Sequence, residues 1–199
     1  MWTFWLDQRK DRTSSPQLRI PADGGVGRNI SKVLGRPGCR PLLFSAVGNN
    51  SRGRALKSQL EHDCGVIDKV DTVEHANTAT YLAVLDGSGD LHTAVADMAV
   101  LSQIHPAPIE AIKAAKLLVL DANPPITTLQ EAALAAVEYG VKVVFDPTSV
   151  SKARSVAHNK KLFSCISYAF PNVDELLAML DEQSEDIDIQ SSVISTLGR

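Results

Sequence analysis

Cysteine is scarce in this chain. Cys39, Cys64 and Cys165 are an odd number, far apart, in no C-x-x-C pair. That excludes a disulfide-stapled secreted scaffold and reads as reduced thiols in a cytoplasmic protein. Histidine is thin and scattered (His62, His75, His92, His105, His158); His62 with Cys64 makes two ligands where zinc takes four groups. A strong charge of either sign is also missing. A net charge of -3 gives no field to attract nucleic acid, and no aromatic-plus-basic stripe appears. No apolar run is long enough to cross a bilayer.

The standard nucleotide loops are missing too. G-x-x-x-x-G-K-[ST] does not occur. Gly25-Val26-Gly27 opens a dinucleotide fingerprint, but Ile30 stands where its third glycine belongs and Pro21 where a strand should precede it. What remains is ordinary globular material. With 199 residues, 44% hydrophobic and 22% charged, the chain can bury one sizeable core, and wholesale disorder is excluded.

The sequence is organised around Asp23-Gly24-Gly25-Val26-Gly27-Arg28-Asn29, which leads into a helical run from Ile30 to Leu34. Glycine permits positive φ and removes Cβ, so backbone can close around a ligand. Asn29 adds an amide that both donates and accepts, which suits an uncharged polyhydroxylated ligand such as a sugar. The plainer reading is a tight turn with Asp23 as helix cap. Residues 1–22 read as a poorly ordered leader, holding both tryptophans but neither a secretory nor a mitochondrial pattern.

From Pro41 the pattern is regular. Leu42–Val47 and Val66–Val70 read as short strands flanking a helix from Ser51 to His62. Residues 78–95 alternate on both sides of Asp86-Gly87-Ser88-Gly89-Asp90, which predicts a β-hairpin and makes that G-x-G-D a hairpin tip, not an anion hole. Beyond Pro106, strands at Leu117–Asp121, Val141–Asp146 and Cys165–Phe170 alternate with helices at Ile109–Ala115, Leu129–Tyr139, Ser149–Ala157 and Val173–Leu180. That is the pattern of an α/β fold with a mostly parallel sheet. Ligands bind at the carboxyl ends of such strands, where Asp121, Asn123, Asp146 and Asn172 fall. Each is equally a cap or turn residue. Asn172 with Glu175 also forms the spacing of a capping box. Lys152 reads as a solvated charge, and Tyr81 and Tyr139 as packing residues.

Taken in order, Gly24-Gly25-Val26-Gly27-Arg28-Asn29, the hairpin after Thr80-Tyr81, Leu120-Asp121-Ala122-Asn123, Phe145-Asp146-Pro147-Thr148-Ser149 and Pro171-Asn172-Val173-Asp174-Glu175 resemble the ribokinase-like (PfkB) carbohydrate kinases, most of all their pseudouridine kinase branch. The resemblance implies an α/β/α sandwich spanning residues 23–181, with a small β lid formed partly by residues 78–95; residues 182–199 read from the sequence as an acidic, irregular tail. It implies ATP-dependent phosphorylation of a ribose-type sugar or nucleoside. Gly25 and Asn29 would hold the sugar, Asn123 a ribose hydroxyl, Asn172 a nucleotide phosphate, and Glu175 a Mg²⁺ ion through water. The family's opening strand has no match in residues 1–22, and its catalytic G-A-G-D segment has none after Glu175. The expectation is therefore a kinase chain truncated at both ends and inactive by itself; the alternative is a non-catalytic binding or regulatory fragment that forms a homo-oligomer or associates with an intact kinase.

Overall fold

A computed structural model of the chain describes residues 2–6, 20–64, 69–85 and 91–180. They fall into two compact units, residues 1–107 and 108–199.

In the first unit, β1 (Trp2–Leu6) pairs antiparallel with β2 (Ile20–Gly24), Trp2 facing Gly24 and Leu6 facing Ile20. The structure thus departs from the expected leader: residues 2–6 and 20–24 are strands. The cause is pairing with a distant segment, since Thr3 of β1 lies parallel to Thr80 of β5 (Thr80–Leu85). Pro21 is tolerated because β2 is the outermost strand of the order β2-β1-β5-β6, where a missing N–H costs no ladder bond. β5 and β6 (Leu91–Asp97) pair antiparallel, so the hairpin expectation holds for the described strands. Residues 86–90 at its tip, including the G-x-G-D run, lie outside the described residues.

After α1 (Val26–Gly35), β3 (Ser45–Gly48), α2 (Ser51–Cys64) and β4 (Val70–Val73) form a parallel pair around a helix. β3 starts later than the Leu42–Val47 run because pairing begins where Ser45 N–H meets the Lys69 carbonyl. Leu56 and Leu60 of α2 pack on Val47 and Val70, each burial worth about 1.5–3 kcal/mol. The helix lies so close to the strand that a Cβ on Gly53 would strike the Gly48 carbonyl. Buried Thr78 fixes this approach: its Oγ1 accepts from Gly48 N (3.1 Å) and donates to Asn50 Oδ1 (2.8 Å), which also accepts from Gly53 N (2.9 Å).

The second unit is a three-stranded parallel sheet, β7 (Leu117–Asp121), β8 (Lys142–Asp146) and β9 (Tyr168–Ala169), in that order. α3 (Ile109–Ala114) leads in; α4 (Ile126–Glu138), α5 (Val150–His158) and α6 (Lys160–Phe163) connect the strands, and α7 (Val173–Leu180) follows. Val143 and Phe145 of the central strand are fully buried. α4 ends as its sequence indicates: Gly140 takes φ +71° and Val141 N–H reaches back to the Ala136 carbonyl. The expected strand Cys165–Phe170 shrinks to two residues. α6 occupies the preceding stretch because Asn159 caps it, accepting from Leu162 N at 3.1 Å, and Cys165 closes its last turn. The expected tail at 182–199 lies outside the described residues.

Candidate active site

The glycine run enters α1 with Gly25 at the cap position and φ +108°, a conformation L side chains resist. The Gly25 carbonyl accepts from Asn29 N at 2.9 Å. Asp23 is not the cap. Its carbonyl accepts from Arg28 Nη1 at 3.0 Å, and its carboxylate lies 3.9 Å from Nη2. Arg28 is only 4% exposed. A buried guanidinium needs counter-charge, and Asp63 of α2, held at 2.7 Å by Lys32, stands 3.9 Å from it. The hydrogen bond from Lys32 keeps the Asp63 carboxyl below its ordinary pKa. Sequence reading missed this cluster, since Asp63 lies far along the chain. Asn29 is exposed, with Oδ1 in a long 3.4 Å contact with Arg28 Nη1. Gly25 and Asn29 therefore sit together at the start of α1, the cap and the first turn, with Arg28 beside Asn29 held between Asp23 and Asp63.

In the second unit the three strand ends meet. β7 and β8 run in register so that Asp121 pairs with Asp146, and Ala122 N–H bonds to the Asp146 carbonyl. Asp121 Oδ1 accepts from both Asn123 N (2.9 Å) and Asn123 Nδ2 (2.6 Å). Lys152, expected to be solvated, is instead half-buried: its Nζ donates to Asn123 Oδ1 at 2.5 Å. Burial lowers its pKa, and Asp121 partly offsets that.

Asp146 Oδ1 accepts from Thr148 N at 2.9 Å. Burial raises the Asp146 pKa against that bond, and the charges of Asp121 and Glu175 push the same way as burial. Between Asp146 and α5 the chain makes a tight turn, Ser149 N–H bonding to the Pro147 carbonyl at 2.7 Å. Thr148 pays for it with φ +60°, an outlier for a β-branched residue, and its buried Oγ1 has no partner among the described residues.

Asn172 and Glu175 bond reciprocally: Asn172 Oδ1 accepts from Glu175 N and Glu175 Oε2 accepts from Asn172 N, both at 2.9 Å. The pair is thus a capping box on α7. Glu175 is nevertheless 7% exposed, and its charge acts on Asp146. Carboxylates of that kind fit Mg²⁺, a hard ion that keeps most of its waters and takes one or two carboxylates. Among the described residues no group of three or more His, Cys, Asp or Glu could ligate a metal directly. The residues present fit a water-mediated ion and not a closed protein cage. No described helix is long and apolar enough to cross a membrane.

Helices around parallel strands, with polar side chains gathered at the carboxyl ends in the second unit, define an open α/β fold of the kind that takes ligands at strand ends. Solved structures share it. A ribokinase from Arabidopsis thaliana, complexed with ribose and ATP, superposes with a TM-score of 0.76 at 18% identity over 99% of this chain and 65% of that one. A carbohydrate kinase from Agrobacterium tumefaciens gives 0.72 at 25% identity over 90% and 60%. Residues 21–197 match the pfkB family carbohydrate kinases, and the chain belongs to that family. It is similar to the pseudouridine kinases of Escherichia coli K12 (35% identity over 140 residues, 67% of this chain and 43% of the relative) and Arabidopsis thaliana (30% over 173 residues, 84% and 44%). The chain thus spans less than half the length of these two relatives.

Proposed function

We propose that this chain carries the sugar-binding and phosphate-binding ends of an ATP-dependent kinase for pseudouridine or a closely related ribose-type substrate. Gly25 and Asn29 bind the sugar, Asn123 a ribose hydroxyl and Asn172 a nucleotide phosphate. Glu175 holds Mg²⁺ through water, and the ion when bound neutralises charge on the phosphates. The reaction moves the ATP γ-phosphate to a primary hydroxyl. Such transfer rests on positioning and charge stabilisation more than on covalent chemistry.

One observation carries this reading: three adjacent parallel strands deliver Asn123, Asp146 and the Asn172–Glu175 pair to the same end of one sheet. The pseudouridine kinases among its relatives support the choice of substrate. No G-x-G-D run follows Glu175 in these 199 residues. Loss of a positioned general base slows catalysis by ~10²–10⁴-fold. The isolated 199-residue chain is therefore expected to bind pseudouridine without appreciable turnover. Calorimetry with pseudouridine, run beside a coupled ADP-release assay, tests both parts. Robust turnover abolished by Asn172→Ala would disprove the inactivity, and absence of pseudouridine binding would disprove the substrate assignment.

A second reading rests on β9, the outer strand of the second unit's sheet among the described residues. Tyr168, Phe170 and Val173 are 56%, 69% and 55% exposed beside the two-residue strand β9. Open strand edges and apolar patches favour association, which suits a non-catalytic fragment that joins an intact kinase or a second copy. A clean monomer in size-exclusion chromatography counts against it.

A further inference from the structure

Lys152 carries no role in the reading above, yet its surroundings single it out. Its ammonium reaches from the first turn of α5 to a carboxamide 29 residues earlier, at the end of β7. Lysine normally keeps its head in water while its stem lies on the surface. Here the head is withdrawn, and burial is unfavourable enough to lower its pKa. An apolar side chain would fill the same space at less cost. The amide it meets is bonded at both ends: Oδ1 accepts from Lys152, and Nδ2 donates to Asp121 Oδ1 at 2.6 Å.

The chemistry of the two neighbours admits only one orientation of that amide. An ammonium can only donate, and an ionised carboxylate can only accept. Asn123 therefore cannot exchange its oxygen and nitrogen without placing like against like at both ends. Among the described residues each end also keeps one free valence, a second lone pair on Oδ1 and a second N–H on Nδ2. A fixed donor beside a fixed acceptor matches two neighbouring hydroxyls, one accepting and one donating.

We propose that Lys152 is a positioning residue that locks the Asn123 carboxamide and so selects a vicinal diol over its deoxy counterpart. This rests on Asn123 being a sugar ligand, and the test separates the two ideas. The first readout is the Asn123 side-chain NH₂ pair in the ¹⁵N spectrum of the ligand-free chain. The second is the Kd for pseudouridine and for 2′-deoxypseudouridine, in wild type, Lys152→Met, Lys152→Gln and Lys152→Arg. In Lys152→Met the NH₂ pair should move, and the Kd for pseudouridine should rise ~10-fold or more, the range of a lost charged hydrogen bond. The preference over the deoxy analogue should narrow. Lys152→Arg, which still donates from a cation, should restore most of both, and Lys152→Gln should fall between. If Lys152→Met does not fold, Lys152→Gln decides by the same two readouts. An unmoved NH₂ pair in a folded variant, or an unchanged Kd, overturns the proposal. If wild type binds neither nucleoside, the functional reading falls and the NH₂ pair alone decides whether the clamp exists.

Discussion

Glu175 has two duties in this account, and one substitution separates them. As a cap its carboxylate needs only an oxygen that accepts from Asn172 N, now at 2.9 Å. As a partner of Mg²⁺ it needs its charge. Glu175→Gln keeps an accepting oxygen and removes the charge. It loses a favourable interaction of roughly 0.3–1 kcal/mol with the N-terminus of α7. It also relieves repulsion with Asp146, where Glu175 disfavours the ionised carboxyl. The two offset, so stability should change by less than about 0.5 kcal/mol, as for a substitution that breaks no packing or cap. Asn172→Ala instead deletes the acceptor for Glu175 N and should cost about 1 kcal/mol. Metal affinity should respond the other way. Losing a group that acts through a metal-bound water weakens binding ~10–100-fold, so Glu175→Gln should raise the Mg²⁺ concentration needed for ATP binding by that factor. Urea unfolding followed by circular dichroism gives the first quantity, and Mg²⁺ titration by calorimetry with ATP present gives the second. If Glu175→Gln destabilises as much as Asn172→Ala and leaves the Mg²⁺ dependence intact, the pair is a helix cap and nothing more.

Asp146 has a raised pKa, so between the ordinary carboxylate value and that raised value the folded state holds a proton the unfolded state has released. Its contribution to stability therefore falls as pH rises through that window; Asp146→Asn, which keeps an acceptor for Thr148 N–H, should flatten this slope in urea midpoints measured upward from about pH 4, and an unchanged slope refutes it. Gly53→Ala should destabilise although it lies inside a helix. The usual gain of ~1 kcal/mol for alanine is outweighed by overlap with the Gly48 carbonyl, since overpacking costs typically ~1–3 kcal/mol; a raised melting temperature would show that α2 can move away. Thr148→Gly should be neutral or stabilise by up to ~1 kcal/mol, because it removes left-handed strain of about 1–2 kcal/mol at the cost of backbone entropy. Its Oγ1 makes no hydrogen bond among the described residues that would be lost. Measured loss of more than that in urea unfolding would point to a role for the hydroxyl.

Much of the fold was legible because its elements announce themselves locally. Leu117–Asp121 and Lys142–Asp146 are apolar runs ending in aspartate, and α7 matches its predicted span at both ends. β1 and β2 were illegible because their pairing is non-local: Pro21 argues against a strand until β2 is known to lie on the sheet edge. α6 was missed because Asn159, its one start signal, sits directly after α5.

At the site, residue types alone named the candidates but not the connections among them. The Asn172–Glu175 capping box spans three residues and could be read directly; the Lys152–Asn123 bond spans 29 and could not. One long-range feature did leave a usable trace. Two five-residue strands that both end in aspartate, once placed side by side and parallel, bring their carboxylates to the same level, as the Asp121–Asp146 pairing does. At Asp146 burial is the larger cause that raises the carboxyl's pKa, and the charge of Asp121 adds to it. Equal strand lengths with matching terminal residues thus carry electrostatic information that neither strand carries alone. It becomes readable only when strand order is added, and strand order here follows chain order from β7 to β9.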